Sequence, residues 1–260
     1  MKADMWTLHT DRTWKYYGKK APYYAIFGQD MYFNSNLNDQ ILNYVFTSGN
    51  DYVEELFTTI HAKIDSGFKP KNILDFGCGP GRFIIPFSKY TDEITGMDIS
   101  QEMLDEAARN CQKFNVTNAS FFLSDDSLNS ISGRKFDLVH SFIVLQHINI
   151  IRGEKLIKLL LNSIQSNGIG VLHVTYNDNF KTRRMVNFLR NRIPFLSDVL
   201  RLARSLFKGK KYKYLPQMQM NKYDLNKIFQ LLQKERVKEV YSTFTNHYDY
   251  FGITLIFKKP

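Results

Sequence analysis

The chain has 260 residues, of which 43% are hydrophobic and 23% charged, an ordinary globular composition that argues against a disordered chain. This length suits one sizeable domain with room for an insertion. Two cysteines are too few for a disulfide framework or a cysteine-rich metal site, so a reducing compartment is expected. The start lacks the apolar core of a signal peptide, and no apolar run approaches about 18 residues, so we expect a cytoplasmic protein.

The net charge of +10 belongs to one segment, residues 181–213. Asp198 is the only acid in that segment, which is otherwise rich in lysine and arginine. In the rest of the chain the basic and acidic residues are equal in number. A positive field of this kind suits an anionic small molecule, a membrane surface or nucleic acid. The location of this charge along the chain is therefore more informative than its magnitude.

The first 36 residues are aromatic and turn-rich, with Trp6, Trp14 and several tyrosines. Neither a strand nor a helix period persists there, which predicts an irregular cap with short helical pieces. Residues 51–64 carry apolar side chains at helical spacing and predict an amphipathic helix. We therefore divide the chain into a cap (1–36) and a main domain (37–260).

Strand and helix patterns then alternate along the chain. Strands are predicted at 72–76, 93–98, 120–124, 136–142 and 170–176. Helices are predicted from about Arg82, at 101–113, and at 154–165, where Asn167-Gly168 would form the C-cap. This alternation predicts a parallel sheet with helices on both faces.

The C-terminal part predicts a different connection. A helix at 223–233, with Asn221 as its N-cap, precedes two β-rich runs at 237–245 and 252–258. The short link between those runs predicts an antiparallel hairpin, which brings the sheet to seven strands.

The most informative stretch is the glycine loop at residues 77–81, which follows the first predicted strand. Gly77, Gly79 and Gly81 allow a sharp turn and a close approach of backbone to ligand, and the next helix offers free N–H groups. Dinucleotide enzymes space these glycines as G-x-G-x-x-G, whereas here the pattern is G-x-G-x-G, with Asp75 two residues before it. An acid at that position suits a ligand with an ammonium group better than a pyrophosphate.

This stretch resembles motif I of the class I S-adenosylmethionine-dependent methyltransferases. The resemblance continues through Asp98 at the end of strand two, Ser124-Asp125 after strand three and the Phe136-Asp-Leu-Val run of strand four. It covers roughly residues 70–176 and the closing hairpin. It implies a Rossmann-like, doubly wound α/β fold and S-adenosylmethionine as the cofactor.

The resemblance also implies roles for individual residues. Asp75 and the loop backbone would hold the methionine end, Asp98 would accept hydrogen bonds from the ribose hydroxyls, and Asp125 would meet the adenine amino group. Cys78 is interpreted as a small spacer. The predicted cofactor site comprises Asp75, Gly77, Cys78, Gly79, Gly81, Asp98, Ile99, Met103, Asp125, Asp126 and Ser141.

Acceptor-facing groups should lie at the carboxyl ends of the strands. His147 follows strand four, His173 and Tyr176 belong to the end of strand five, and His247 lies in the hairpin turn; these four are the catalytic candidates. Each histidine also has a structural interpretation: a helix-start residue, a satisfied core residue and an exposed turn residue, respectively. Their spacing demands no metal, although a divalent ion would become feasible if two of them converge.

Residues 177–221 are interpreted as a basic helical insertion, with an amphipathic helix at 196–207 acting as a lid. The expected activity is O-methylation of a small anionic acceptor, such as a phosphorylated metabolite or a nucleotide- or lipid-linked sugar. Peripheral membrane contact through 181–213 ranks second and nucleic acid last, since no RNA-binding module accompanies the segment. The alternatives are an RNA methyltransferase or a cofactor-binding protein without catalytic activity.

Overall fold

The computed structural model describes residues 5–179, 216, 218–247 and 249–260. The basic segment 181–213, and with it the predicted helix at 196–207, lies outside the described residues. The helices are α1 (Met5–Lys20), α2 (Tyr24–Phe27), α3 (Asp39–Lys63), α4 (Ile84–Phe87), α5 (Gln101–Lys113), α6 (Ile150–Ser163) and α7 (Leu225–Lys234). The strands are β1 (Asn72–Phe76), β2 (Glu93–Asp98), β3 (Ala119–Leu123), β4 (Phe136–Ser141), β5 (Ile164–Asp178), β6 (Tyr241–His247) and β7 (Tyr250–Lys258).

The seven strands form one sheet in the order β3-β2-β1-β4-β5-β7-β6. The first five are parallel to one another, while β7 runs antiparallel to both β5 and β6. The predicted Rossmann-like α/β fold with a C-terminal hairpin is therefore confirmed.

Hydrophobic cores cover both faces of the sheet. One core joins α6 and α7 to the sheet, with Leu160, Leu172 and Phe257 almost wholly buried. The other joins α3, α4 and α5, with Ile60 and Phe87 at its centre. Strands that are buried on both faces read as continuous apolar runs, which explains why the sequence predicts them well.

The N-terminal cap differs from the sequence prediction. Residues 5–20 form one helix of 16 residues, rather than an irregular segment with short helical pieces. Tyr17 and Ala21 pack against Met103 of α5, so tertiary contacts with the main domain stabilise a helix whose aromatic residues give no clear period.

Several predicted boundaries were also wrong. The helix predicted at 51–64 begins at Asp39, where the Asn38 side chain accepts a hydrogen bond from the Ile41 amide at 2.9 Å. Gly49 interrupts the apolar pattern but lies inside the helix, where a Cβ atom would overlap the backbone carbonyl of Arg82. Helix α4 has four residues and begins at Ile84, after a turn at Arg82.

The end of α6 shows a different error. Asn167-Gly168 is not a C-cap, because β5 already begins at Ile164, directly after the helix. Asn167 has a φ of +64°, and the pairing between β4 and β5 shifts register nearby, so these residues form an irregularity within a long strand. Helix α7 is capped by Asp224 instead of Asn221.

Candidate active site

The main cleft lies above the carboxyl ends of β1 and β4. The strand order reverses between these two neighbours, and crevices at such switch points bind ligands in open α/β sheets. The cleft has an empty volume of about 1030 Å³, open solvent included. We call residues 75–83 and 98–103 the cleft floor, and residues 10–27 the cleft roof.

Eight predicted site residues line this cleft: Gly77, Cys78, Gly79, Asp98, Ile99, Met103, Asp125 and His147. Seven others are not among the described lining residues: Asp75, Gly81, Asp126, Ser141, His173, Tyr176 and His247. Most of the residues predicted for the cofactor site therefore line the cleft, whereas His147 is the one of the four catalytic candidates that does so among the described lining residues.

The glycine loop needs glycine for two different reasons. Gly77 has a φ of +80°, and a Cβ atom there would overlap the side chain of Val144. Gly81 has a φ of +88°, and its Cβ would lie 3.2 Å from that of Ala107, so this glycine lets the loop pack against α5. The Gly77 amide donates to the Met97 carbonyl at 2.7 Å, which fastens the loop to the end of β2.

Asp98 is held from two sides. Its Oδ2 accepts a hydrogen bond from the Gly79 amide, and its Oδ1 accepts one from the Ser100 amide, both at 3.0 Å. Burial raises the pKa of this carboxyl to about 6, although the amides of Ser100, Gly79 and Ile99 oppose that shift. The carboxylate is therefore fixed in orientation beside the loop and is ready to accept further hydrogen bonds.

Asp75 lies beneath the loop in an arrangement that the sequence did not reveal. It is 1% exposed, and the Nδ1 atom of His140 lies 2.7 Å from its Oδ1. The Tyr52 hydroxyl lies 3.0 Å from Nε2 of the same histidine. With Nδ1–H donating to Asp75, Nε2 accepts from Tyr52, and the three groups form a buried chain.

His140 escaped the sequence analysis because its partner is on another strand. Asp75 and His140 are opposite each other in the β1–β4 register. Sequence spacing does not give this register, although a histidine inside an otherwise apolar strand was a usable signal. The other carboxylate oxygen of Asp75, Oδ2, is buried and has no hydrogen-bond partner among the described residues.

Cys78 lines the cleft but is a poor nucleophile in this setting. Its side chain is buried, and burial, with the nearby carboxylates of Asp98 and Asp75, raises the pKa of the thiol well above its ordinary value. The geometry agrees with the interpretation of Cys78 as a small spacer in the loop.

The two acids after β3 have different environments. Asp125 lines the cleft, and its Oδ1 accepts hydrogen bonds from the amides of Ser127 and Asn129 at 2.9 and 3.1 Å. Desolvation raises the pKa of this carboxyl, but these hydrogen bonds outweigh it and the net pKa is lowered. Asp126 instead forms an ion pair with Arg152.

The cleft roof consists of α1 and α2. Trp14 stacks at a tilt over His147, with ring centroids 4.8 Å apart. Asp11 forms an ion pair with Arg152 at 2.6 Å, and Thr10 and Ile26 also line the cleft. The sequence analysis treated this segment as a cap without assigning any of its residues to the site.

His147 ends a 3₁₀ turn at Leu145–His147 and is 7% exposed. Its Nδ1 donates to the Gln219 carbonyl at 2.7 Å, so Nε2 carries the lone pair; the amide nitrogen of Gln146 is 3.3 Å from Nε2. Burial lowers the pKa of the imidazole to about 4, partly opposed by the Gln219 carbonyl. A neutral imidazole therefore faces the cleft, beside the turn after β4.

That turn contains a strained residue. Ile143 lines the cleft with a φ of +60°, which is an outlier for a β-branched side chain. Strain of this kind tends to occur at functional sites, where the surrounding structure holds it in place.

The remaining catalytic candidates lie to one side of the cleft. His173 is fully buried, and its Nε2 lies 2.8 Å from the Thr245 hydroxyl, a contact that Gly252 allows because a Cβ atom there would overlap both groups. Burial lowers the pKa of His173 to about 3, helped by its neighbour His247. Tyr176 is half-buried against the core of α6 and α7.

His173 and His247 do converge, with ring centroids 5.3 Å apart. His173 Nδ1 and His247 Nε2 are both buried without a hydrogen-bond partner in the part of the chain that the structure describes. The same is true of the Ser141 hydroxyl at the end of β4. Within the described ranges no group of three or more histidine, cysteine, aspartate or glutamate side chains is arranged to hold a metal ion.

Comparison with known proteins agrees with this geometry. Residues 73–168, which is less than half of the chain, match a family model described as a methyltransferase domain. An uncharacterized methyltransferase of Schizosaccharomyces pombe is 35% identical over 88 residues, which are 31% of this chain and 32% of that protein. A ubiquinone biosynthesis O-methyltransferase of Coxiella burnetii is 26% identical over 113 residues, 44% of this chain and 47% of that protein.

Two further similar proteins are an rRNA methyltransferase and a methyltransferase of known crystal structure. A 23S rRNA (uracil(1939)-C(5))-methyltransferase of Psychromonas ingrahamii is 35% identical over 57 residues, 22% of this chain and 13% of that protein. The crystal structure of magnesium protoporphyrin IX methyltransferase from Synechocystis has a TM-score of 0.64 at 18% identity, covering 99% of this chain and 100% of the other. The chain thus aligns with less than half of each curated relative, and the structural likeness shows a shared fold.

The cleft, the glycine loop and the sheet order define a Rossmann-like α/β domain with a ligand cleft at its topological switch point. Residues 73–168 are thus similar to the methyltransferase domain family, and the fold is similar to that of a methyltransferase crystallised with S-adenosylhomocysteine. None of the helices in the described ranges is both long and apolar enough to cross a membrane.

Proposed function

We propose that this chain is an active methyltransferase that transfers the methyl group of S-adenosylmethionine to an oxygen of a small, anionic acceptor. The observation that supports this proposal is that one cleft is lined by the glycine loop and Asp98 on its floor, by Trp14 of its roof and by His147 after β4. Methyl transfer from a sulfonium is a displacement that depends on alignment of the acceptor and exclusion of water. The largely apolar lining of the cleft favours the exclusion of water.

The donors and acceptors of the floor suit the cofactor. We propose that Asp98 accepts hydrogen bonds from the ribose hydroxyls and that Asp75 attracts the ammonium from beneath the loop, where its Oδ2 lacks a partner among the described residues. Ile99 and Met103 would form an apolar surface for the adenine, with Asp125 at its edge. The bound cofactor supplies the electrophilic methyl group, and the chain supplies position.

His147 is the proposed acceptor-facing group. Its imidazole is neutral at physiological pH, and among the described residues its Nε2 lone pair has only a long contact with Gln146. A proton from an acceptor hydroxyl would replace the Gln146 contact at Nε2. Proton removal of this kind is worth roughly 10²–10⁴-fold in rate.

Oxygen as the methylated atom and a small acceptor rest on two observations. The residues after β4 lack the Asn/Asp-Pro-Pro-aromatic run that resembles amino-group methyltransferases. One of the relatives is an O-methyltransferase of ubiquinone biosynthesis. The rRNA relative and the basic segment favour RNA as the second candidate acceptor.

Titration calorimetry followed by a methylation screen tests this proposal. S-adenosylmethionine and S-adenosylhomocysteine should bind, and NAD should not, because the loop lacks the dinucleotide glycine spacing. Acceptors bearing a phosphate or carboxylate should then be methylated faster than neutral analogues and faster than RNA. Cofactor binding without turnover on any acceptor would favour a binding protein, and failure to bind the cofactor would overturn the proposal.

A further inference from the structure

Arg82 follows the glycine loop and lines the cleft without an acidic partner. Three other arginines in the described part of the chain pair with carboxylates, namely Arg152 with Asp11 and Asp126, Arg109 with Glu106, and Arg134 with Glu93, while the unpaired Arg12 and Arg236 are exposed to solvent. Arg82 forms no such pair with a described residue. Its side chain is only partly exposed, and desolvation lowers the pKa of its guanidinium.

The guanidinium lies over two aromatic rings. Its carbon lies 5.1 Å from the ring centroid of Phe27 in the roof and 4.7 Å from that of Phe83 in the floor. Cation–π contacts of this kind attract the group through its charge and do not use up its N–H donors. Arg82 is therefore oriented before any ligand arrives.

Most of those donors remain available. One Nη donates to the Ser48 carbonyl at a long 3.4 Å, and Nε is buried without a hydrogen-bond partner among the described residues. The ionisable groups that interact electrostatically with Arg82 are the phenols of Tyr52, Tyr44 and Tyr32 and the imidazole of His247, and none of these neutral groups balances a cation. A cation that is partly removed from water is costly without an anion nearby, so a ligand of opposite charge is expected.

We propose that Arg82 is an oxyanion receptor, whose planar fork binds a carboxylate of a ligand seated in the cleft. Guanidinium and carboxylate match in a two-point geometry that a lysine does not reproduce. Two ligands would present this chemistry: the methionine end of the cofactor and an acidic acceptor. This inference deepens the proposed function and rests on it.

The first arm of the test isolates the cofactor carboxylate. S-adenosylhomocysteine and its decarboxylated analogue differ in that group alone, so the ratio of their dissociation constants measures what the carboxylate contributes. We expect a ratio of about 10- to 100-fold in the wild-type protein, the usual scale for hydrogen bonds to a charged group. Arg82→Met should bring the ratio close to one, and Arg82→Lys should leave an intermediate value.

The second arm isolates an acidic acceptor. Benzoate and benzamide serve as probes, because they share an aromatic ring that suits the cleft and differ in charge. Preferential binding of benzoate that disappears in Arg82→Met would assign the receptor to the acceptor. Arg109→Met is the matched control, since it removes an exposed arginine on α5 and should leave both preferences unchanged.

Each outcome decides the proposal. Loss of either preference in Arg82→Met, with a melting temperature near that of the wild type, supports it and identifies the source of the oxyanion. Both preferences surviving in Arg82→Met, or absent from the wild-type protein, would overturn it. Wild-type protein that binds benzoate through Arg82 but does not bind S-adenosylhomocysteine would overturn the proposed function instead.

Discussion

The cleft floor and the cleft roof are built in different ways. The floor consists of strand ends and a glycine loop, and its geometry is set by backbone hydrogen bonds such as that between the Gly77 amide and the Met97 carbonyl. The roof is a helix whose side chains reach the main domain through aromatic contacts and the ion pair between Asp11 and Arg152. The floor is specified by local sequence, and the roof by contacts distant in the chain.

This difference suggests that the floor binds the cofactor and that the roof contacts the methyl acceptor. A loop fixed by backbone geometry suits a cofactor that is common to a whole family, because side-chain changes around it do not move the amides. A roof held by side chains can change with the acceptor. We therefore expect changes in the floor to alter cofactor binding and changes in the roof and at His147 to alter the acceptor.

The largest expected effect is at His147. His147→Phe keeps a flat ring against Trp14 and removes both nitrogens, so it should lower kcat by about 10²–10⁴-fold if Nε2 accepts the acceptor's proton. The dissociation constant for S-adenosylhomocysteine should change by less than about twofold, since a group that acts in the transition state leaves ground-state binding intact. Steady-state kinetics and calorimetry measure the two quantities.

His61→Phe is a suitable control, because His61 is on α3 and contacts the Phe68 carbonyl. It should leave kcat unchanged. Full activity in His147→Phe would show that the ring acts only through its shape and would remove His147 from proton transfer.

The second effect compares two glycines of the floor. Gly77→Ala combines a left-handed backbone with an overlap on Val144, so it should lower the free energy of unfolding by about 2–5 kcal/mol. Gly79→Ala shares the left-handed backbone, but no other atom lies within 4 Å of its Cβ, and about 1–2 kcal/mol is expected. Urea denaturation measures both, and equal losses would contradict the steric role of Val144.

The sequence predicts the floor well because its signals are local. Glycine spacing, an acid at the end of each of two apolar strands, and alternating strand and helix patterns all lie within short windows. The strands from β1 to β5 were placed within a few residues, apart from the early start of β5. Because these signals are local, eight of the predicted site residues do line the cleft.

The roof and the buried chain beneath the loop depend on longer-range contacts. Helix α1 contacts α2, α5 and His147, and these contacts between distant parts of the chain leave no single periodic apolar face on which a sequence prediction could depend. His140 opposes Asp75 through strand register, which the sequence does not give. The roles predicted for Asp75, Asp98, Asp125 and the histidines are still predictions until ligands are tested.

The third effect concerns cofactor affinity at Asp98. Asp98→Ala should weaken binding of S-adenosylhomocysteine by about 1.5–3 kcal/mol, the scale for losing hydrogen bonds to a charged acceptor. The wild-type affinity should also fall as the pH decreases through about 6, because the raised pKa means that the carboxylate becomes protonated there. His147 has a pKa of about 4 and does not titrate in that window.

Calorimetry between pH 8 and pH 5 measures this dependence. The Asp98→Ala variant should show little change over the same range, while Asp105→Ala, which removes an exposed acid on α5, should behave as the wild type does. A pH dependence that survives in Asp98→Ala would assign the titration to another group.

The smallest effect tests how the roof is attached. Arg152 forms ion pairs with Asp11 of α1 and with Asp126, which is part of the main domain, so two matched substitutions separate the attachment of the roof from the charge balance of Arg152. Asp11→Asn should loosen α1 by about 1 kcal/mol or less, the range for partly exposed ion pairs. Asp126→Asn should change the environment of Arg152 and leave α1 in place.

Hydrogen exchange at the amides of α1 measures this loosening directly. Exchange should become up to about fivefold faster in Asp11→Asn, because 1 kcal/mol corresponds to a factor of about five in an opening equilibrium. The amides of β1 should not respond in either variant, since the floor is fixed by its own backbone hydrogen bonds. Equal acceleration of α1 in both variants would mean that Arg152 acts through net charge. No acceleration in either would mean that Trp14 and the contacts with Met103 of α5 are sufficient to hold the roof, and the comparison between floor and roof would then rest on aromatic packing alone.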